Sequence, residues 1–460
     1  MRAAEAVAVA TLVIVAPAAA RADGAFPAPQ AVLVPADRPQ EIILATNFGL
    51  VISEDAGQTW SWTCEQDGNA LGTFYQLGPA PRHRLFVVAN QHVATSDDGS
   101  CSWQVAGGLL ADQSVIDLFP DPTNADRVVA IGIGSNAYTV FESADGGTTF
   151  GSTLYQASGG DAVNGVEIAR SDPRIVYVAL TSPDRTPKLA RSDDGGAQWT
   201  VNDLSAGLGP GFVSIVSVDP DDANTVLLRW SGADGSDAIG VTRDGGATVA
   251  KTLSIPNYFT SFARMPDGAL VVSGIVSVSP ALRPALFVSH DGGASFQEND
   301  AVPGVLALAQ RGGILYAAAD NFQDGYALGA SSDEGTTWQP VVRFDQIRSI
   351  LACLQTNAQC QASCEALAGK GLGSSGKIWD EAVCTGNPAT AGTGGSSGTG
   401  AAGSGGAGAG NGGAAGGAPG CGCALVAGRS HADVEAAVLG VALLVIGLLR
   451  TQARAARPRA

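Results

Sequence analysis

Residues 192–199 read SDDGGAQW, a hydroxyl residue followed at fixed steps by an Asp, a Gly and an aromatic. The same spacing returns as Ser53-Asp55-Gly57-Trp60, Ser143-Asp145-Gly147-Phe150, Ser289-Asp291-Gly293-Phe296 and Ser331-Asp333-Gly335-Trp338. Two further copies are altered: Ser96, Asp98 and Trp103 surround Ser100 where Gly is expected, and Thr242-Asp244-Gly246 ends in Val249. Hydroxyl and carboxylate oxygens so spaced accept hydrogen bonds from the backbone N–H groups of a tight turn, while Gly takes its positive-φ position. The aromatic then opens the next strand and packs inward. The oxygens of the seven Asp residues are therefore expected to be committed to their own turns, a structural role.

Asp55, Asp98, Asp145, Asp194, Asp244, Asp291 and Asp333 follow one another at intervals of 42 to 50 residues. A period of about 40 to 50 residues, with room for four short strands, marks propeller blades. A second signal runs in phase ahead of each turn, clearest as DPTNADRVVA at 121–130, SDPRIVYVAL at 171–180 and DPDDANTVLL at 219–228. Weaker versions begin at Pro35, Pro79, Met265 and Gln310. Together they predict an all-β fold, a seven-bladed β-propeller of four-stranded antiparallel blades, over residues 23–352. In the fourth blade the strands are expected at 165–170, 175–180, 188–192 and 199–201. The DP turns join strands one and two and the Asp turns join strands three and four, so antiparallel alternation places both sets at one end. Residues 341–351 are expected to supply a closing strand beside residues 31–34.

On these residues the chain resembles the Asp-box, or bacterial neuraminidase-repeat, β-propellers over about residues 26–352. A single propeller with regular repeats looks most like the sortilin-type and photosystem II assembly-factor-type members, which implies a binding or adhesion scaffold for a protein or glycan. Sialidases share the repeat, but no Arg-Ile-Pro motif lies near the N-terminus, and seven blades is one more than that fold has. Xyloglucan-cleaving glycosidases use seven-bladed propellers in tandem pairs, whereas this chain has one. An extracellular glycoside hydrolase or lyase stays the alternative.

If both turn sets occupy one end, a ligand site belongs on the other, where loops converge on the channel and vary freely. The residues placed there are Tyr138, Asp184, Trp230, Asp234, Asp237, Tyr258, Asp320, Asp324 and Tyr326. Four of the seven Trp end Asp turns, which leaves Trp62, Trp230 and Trp379 as possible sugar platforms. Hydrolysis would need two carboxyl groups about 5 to 9.5 Å apart across the bond. A formal charge of −17 and a pI near 4.5 argue against nucleic acid, which needs clustered cations. GIGSNA at 132–137 follows a strand but opens no helix, so it is no dinucleotide loop. Asp234-Gly235-Ser236-Asp237 lacks the full alternation of a calcium loop, and His83, His92, His290 and His431 show no metal-ligand spacing. No cofactor and no metal is implied, and a monomer is the default.

The flanks point to export. Arg2, an apolar run at 6–15 and small residues at 18–22 have the layout of a signal peptide, residues 1–22, cut after Ala20 or Ala22. The chain has eight cysteines, whose number and grouping suit disulfides in an oxidising compartment. Cys64 and Cys101, in adjacent blades, are expected to pair. Cys353, Cys360, Cys364 and Cys384 are expected to form a small stapled segment, 353–385, with three possible connectivities and a zinc site as the runner-up. Residues 386–420 are nearly all Gly, Ala, Ser and Thr and cannot bury a core, which predicts a flexible tether of about 30 Å r.m.s. span. Residues 421–460 carry Cys421 and Cys423, an apolar helix expected at 436–449 and an Arg-rich end. They resemble the myxobacterial C-terminal sorting signal, MYXO-CTERM, which implies cleavage near the cysteines and retention at the cell surface. An uncleaved membrane tail anchor is the alternative.

Overall fold

The computed structural model describes residues 27–64, 72–89, 91–134, 137–278, 281–299, 302–369, 378–379 and 382–385. The expected signal peptide, tether, Cys421, Cys423 and apolar helix at 436–449 lie outside them. Among the described residues no helix is long and apolar enough to cross a membrane.

Seven four-stranded antiparallel blades follow one another along the chain, each ordered from inner to outer strand as the sequence runs. The fourth comprises Ala162–Ile168, Val176–Thr181, Pro187–Ser192 and Thr200–Asp203, within three residues of the expected bounds. A blade is apolar on both faces, so each must pack against two neighbours. Seven clusters of buried side chains do this, one per junction; Phe119, Ile131 and Leu154 of blade three meet Val163, Val178 and Ala190 of blade four, for example. The seventh junction joins blade seven to blade one through Ala309, Leu328 and Val342 against Val32, Leu44 and Trp60. The ring is thus closed by side-chain packing.

The repeat turns are built alike. In all seven, the Ser or Thr hydroxyl donates to the Asp Oδ1 at 2.7 to 2.9 Å. It also accepts the N–H four residues on at 2.8 to 2.9 Å. The Asp Oδ1 accepts the N–H four residues after itself at 2.8 to 2.9 Å. Each turn has two successive left-handed residues rather than the single one expected, as in Gly146 (φ 73°) and Gly147 (φ 83°). Ala56 and Glu334 take the first of these positions and Ser100 the second, at φ 59°, 56° and 74°. The Gly195 N–H donates to Arg174 O at 2.8 Å and the Gly146 N–H to Asp126 O at 2.7 Å, tying the repeat turns to the DP turns at one end.

Closure differs from expectation. Residues 341–351 do not pair with residues 31–34; Ser349–Ile350 runs parallel to Ser61–Thr63 and adds a fifth, outermost strand to blade one. The N-terminal segment already supplies the inner strand, Pro29–Leu33, so only the outer edge is open to the returning chain.

The cysteine pairing is also corrected. Cys64 and Cys101 do not bond to each other: Cys64 pairs with Cys360, Cys101 with Cys353, and Cys364 with Cys384. Two of the four cysteines of residues 353–385 thus staple that segment to the blades rather than to itself, and all four are in disulfides, which leaves them no thiol for a zinc ion. Leu354, Ile378, Trp379 and Val383 sink into the junction between blades seven and one, where Trp379 lies 5.0 Å from Trp62 and 5.8 Å from Phe48 between ring centroids.

Candidate functional site

The face away from the repeat turns is made by the links between strands two and three and by the links from blade to blade. Its carboxylates are mostly spent on the backbone. Asp184 accepts from the Thr186 N–H at 3.2 Å, and Asp234 accepts from Ser236 through both its N–H and its hydroxyl. Both carboxyls sit below the usual range because those donors favour the charged form. Asp237 is buried and joins two blades: it pairs with Arg229 at 2.6 Å, accepts from the Ser231 hydroxyl, and accepts the Phe259 N–H of blade six at 2.9 Å. Asp234 and Asp237 are thus held separately rather than around one cation.

Asp320, Asp324 and Tyr326 share one loop of blade seven. Asp320 accepts the Phe322 and Gln323 N–H groups, and Asp324 accepts those of Gly304 and Asp320 at 3.1 Å each. Burial raises the Asp324 carboxyl; burial, then the Asp324 charge, pushes the Tyr326 hydroxyl up to about 12. Tyr138 is half-buried against the junction of blades three and four, and burial raises it as well.

None of the three spare tryptophans is a free platform. Trp62 and Trp379 are buried against each other, and Trp230 donates its indole N–H to Gly209 O at 3.1 Å. The Lys251 Nζ caps the Trp230 ring 3.2 Å from its centroid, and burial lowers its pKa. Contacts of this kind are worth about 0.5 to 2 kcal/mol. Lys251 escaped sequence reading because its partner lies two strands away.

Two inward-facing carboxyls were also invisible to motif reading. Asp117 on the inner strand of blade three, Ser114–Pro120, bonds the Leu118 and Val166 backbones, and burial pushes it up to about 7. Glu167 on the next inner strand accepts the Val218 N–H of blade five at 2.8 Å, and burial, reinforced by the Asp117 charge, raises it to about 8. Ser261 does the same work between blades six and seven, accepting the Leu308 N–H at 2.8 Å. These side chains latch one inner strand to the next.

The exposed apolar side chains of this face gather on blades six and seven, beside exposed polar groups such as Asp184, Arg185 and Asp234 and a separate Leu109 in the link between blades two and three. The longest hairpin among the described residues, Leu270–Val278 with Ala281–Ser289, belongs to blade six and exposes Val278 and Leu282, the latter by 65%. Tyr258 stands beside it, 40% exposed, with Leu306 and Phe322 on blade seven. The Thr260 hydroxyl donates to Val305 O at 2.8 Å, and the Leu306 N–H to Ala318 O, which brings the two blades' loops together there. By contrast, the open depression of about 600 Å³ between blades three and four lies at the turn end. Its central Arg127 already serves Glu142 at 2.7 Å, Asp121 at 3.4 Å and Pro173 O at 2.6 Å.

No protein-family model matches the sequence, and no curated protein does. Solved structures do. The chain is similar to an ancestral GH74 enzyme at 14% identity and a TM-score of 0.43, over 61% of this chain and 40% of that one. It is similar to YCF48 from Cyanidioschyzon merolae at 13% identity and a TM-score of 0.42, over 63% and 92% of the two chains. It is also similar to YCF48 bound to D1 peptide, at 18% identity and a TM-score of 0.33, over 50% and 67%. The chain spans well under half the length of the GH74 enzyme.

Proposed function

We propose that this protein is an exported Asp-box propeller, anchored at the cell surface through its C-terminal segment, that binds a protein or glycan ligand on the face opposite its Asp boxes. The observation that carries this reading is the exposed set Tyr258, Val278, Leu282, Leu306 and Phe322 on a face whose carboxylates are engaged in holding loops. Exposed apolar surface of this kind, rimmed by polar groups, serves recognition. Three disulfides suit an oxidising compartment. A signal peptide at 1–22 and a MYXO-CTERM-like segment with Cys421 and Cys423 would supply the route and the anchor. Hydrolysis ranks lower, because it needs two available carboxyls facing each other across an open cleft.

The test uses the full-length protein with benzoylphenylalanine at position 258 or 322, and at position 198 on the turn end as the control. Irradiation on intact cells should give adducts from 258 and 322 and none from 198. Equal labelling from 198 would remove the face assignment. Release of reducing ends from xyloglucan by the purified protein would replace binding with hydrolysis.

A further inference from the structure

On the turn end, blades six and seven bring together three side chains that sequence spacing keeps apart. Asp267 sits in the turn between the first two strands of blade six, His290 inside that blade's repeat turn, and Glu334 inside the repeat turn of blade seven. One ligand atom from each lies within 4.8 Å of the other two. His290 Nε2 is 3.2 Å from Glu334 Oε2. We propose that Asp267, His290 and Glu334 form a divalent transition-metal site of the zinc class, clipping blade six to blade seven.

Three features carry this. Ligands at about 2.0 to 2.1 Å from a tetrahedral zinc stand roughly 3.4 Å apart, so the His290–Glu334 pair already has the length of a tetrahedral edge. One imidazole with two carboxylates suits zinc, whereas magnesium and calcium prefer oxygen alone. The backbone positions are also fixed before any ion arrives. Glu334 is set by its left-handed φ of 56°, His290 lies between the bonded Ser289 and Asp291, and Asp267 Oδ1 is oriented by the Ala269 N–H at 3.0 Å. Among the described residues no Lys or Arg forms an ion pair with Asp267 or Glu334, so a cation is what would balance the two carboxylates. The nearby Arg243 spends a guanidinium N–H on Gly292 O at 2.9 Å. All three ligands reach solvent, which gives an ion entry and leaves a coordination position for water.

Zinc chloride titrated into the full-length protein by calorimetry at neutral pH should fill one site. Loss of an outer-shell partner already costs metal sites about 10- to 100-fold in affinity, so His290→Ala and Glu334→Gln should each weaken binding by at least about tenfold. His92→Ala, an exposed His of blade two, should leave it unchanged. Zinc should also raise the melting temperature of the parent and of His92→Ala, and not of His290→Ala. Absence of saturable zinc binding, equal affinity in His290→Ala, or a preference for calcium would each overturn the proposal.

Discussion

Ser192 shows what one side chain does for a repeat. Its buried hydroxyl donates to Asp194 at 2.8 Å and accepts the N–H groups of Gly196 at 2.8 Å and Asp194 at 3.3 Å. Substituting Ala removes one atom and strands the Gly196 donor, a loss of about 1 to 3 kcal/mol. Ser192→Ala should therefore lower the urea midpoint at an unchanged slope, which equilibrium unfolding by fluorescence reads; an unchanged midpoint would mean that Gly196 finds another acceptor. These turns were legible in the sequence because every partner lies within four residues of the Asp. Lys251, Asp117 and Glu167 were not, because their partners lie on other strands and in other blades. His290 was missed in the same way, standing 23 residues after Asp267 and 44 before Glu334.

At the scale of elements, periodicity carried the blades and said nothing of how the ring is finished. Four cysteines within 32 residues, from Cys353 to Cys384, look self-contained, and only the fold brings Cys353 and Cys360 to partners 252 and 296 residues away. Those two bridges pin the returning chain to blade one and to the repeat turn of blade two. Peptide mapping without reduction should recover 64–360, 101–353 and 364–384 linkages and no 64–101 linkage. Replacing both Cys101 and Cys353 by Ser should cost about 2 to 5 kcal/mol, since the closed loop is long. A drop in melting temperature checks this; no drop would mean that Trp379, Ile378 and Val383 hold the segment in place by packing alone.

For the whole molecule, the repeat turns and the inner-strand latches titrate in opposite directions. The repeat-turn carboxylates are depressed by their donors, Asp55 to about 2 from an ordinary 3.8, with Asp145, Asp194 and Asp333 shifted the same way. Their contribution is present above about pH 4 and lost as the pH falls toward 2. Asp117 and Glu167 run the other way. Their folded values, about 7 and about 8, lie above the unfolded 3.8 and 4.5, so their contribution is whole below about pH 4 and is lost as the pH rises through 8. Arg264, whose Nη1 meets Asp219 at 3.1 Å, eases the Glu167 charge without cancelling it. The urea midpoint should therefore peak near pH 4 to 5 and decline toward pH 8, each unit of a raised pKa being worth about 1.4 kcal/mol. Repulsion from a net charge of −17 adds its own slope, common to parent and variant. Glu167→Gln separates the two: its amide oxygen still accepts the Val218 N–H but carries no charge, so the decline between pH 5 and 8 should flatten. An identical slope in Glu167→Gln would assign the decline to overall charge and leave the inner-strand latch without a titrating role.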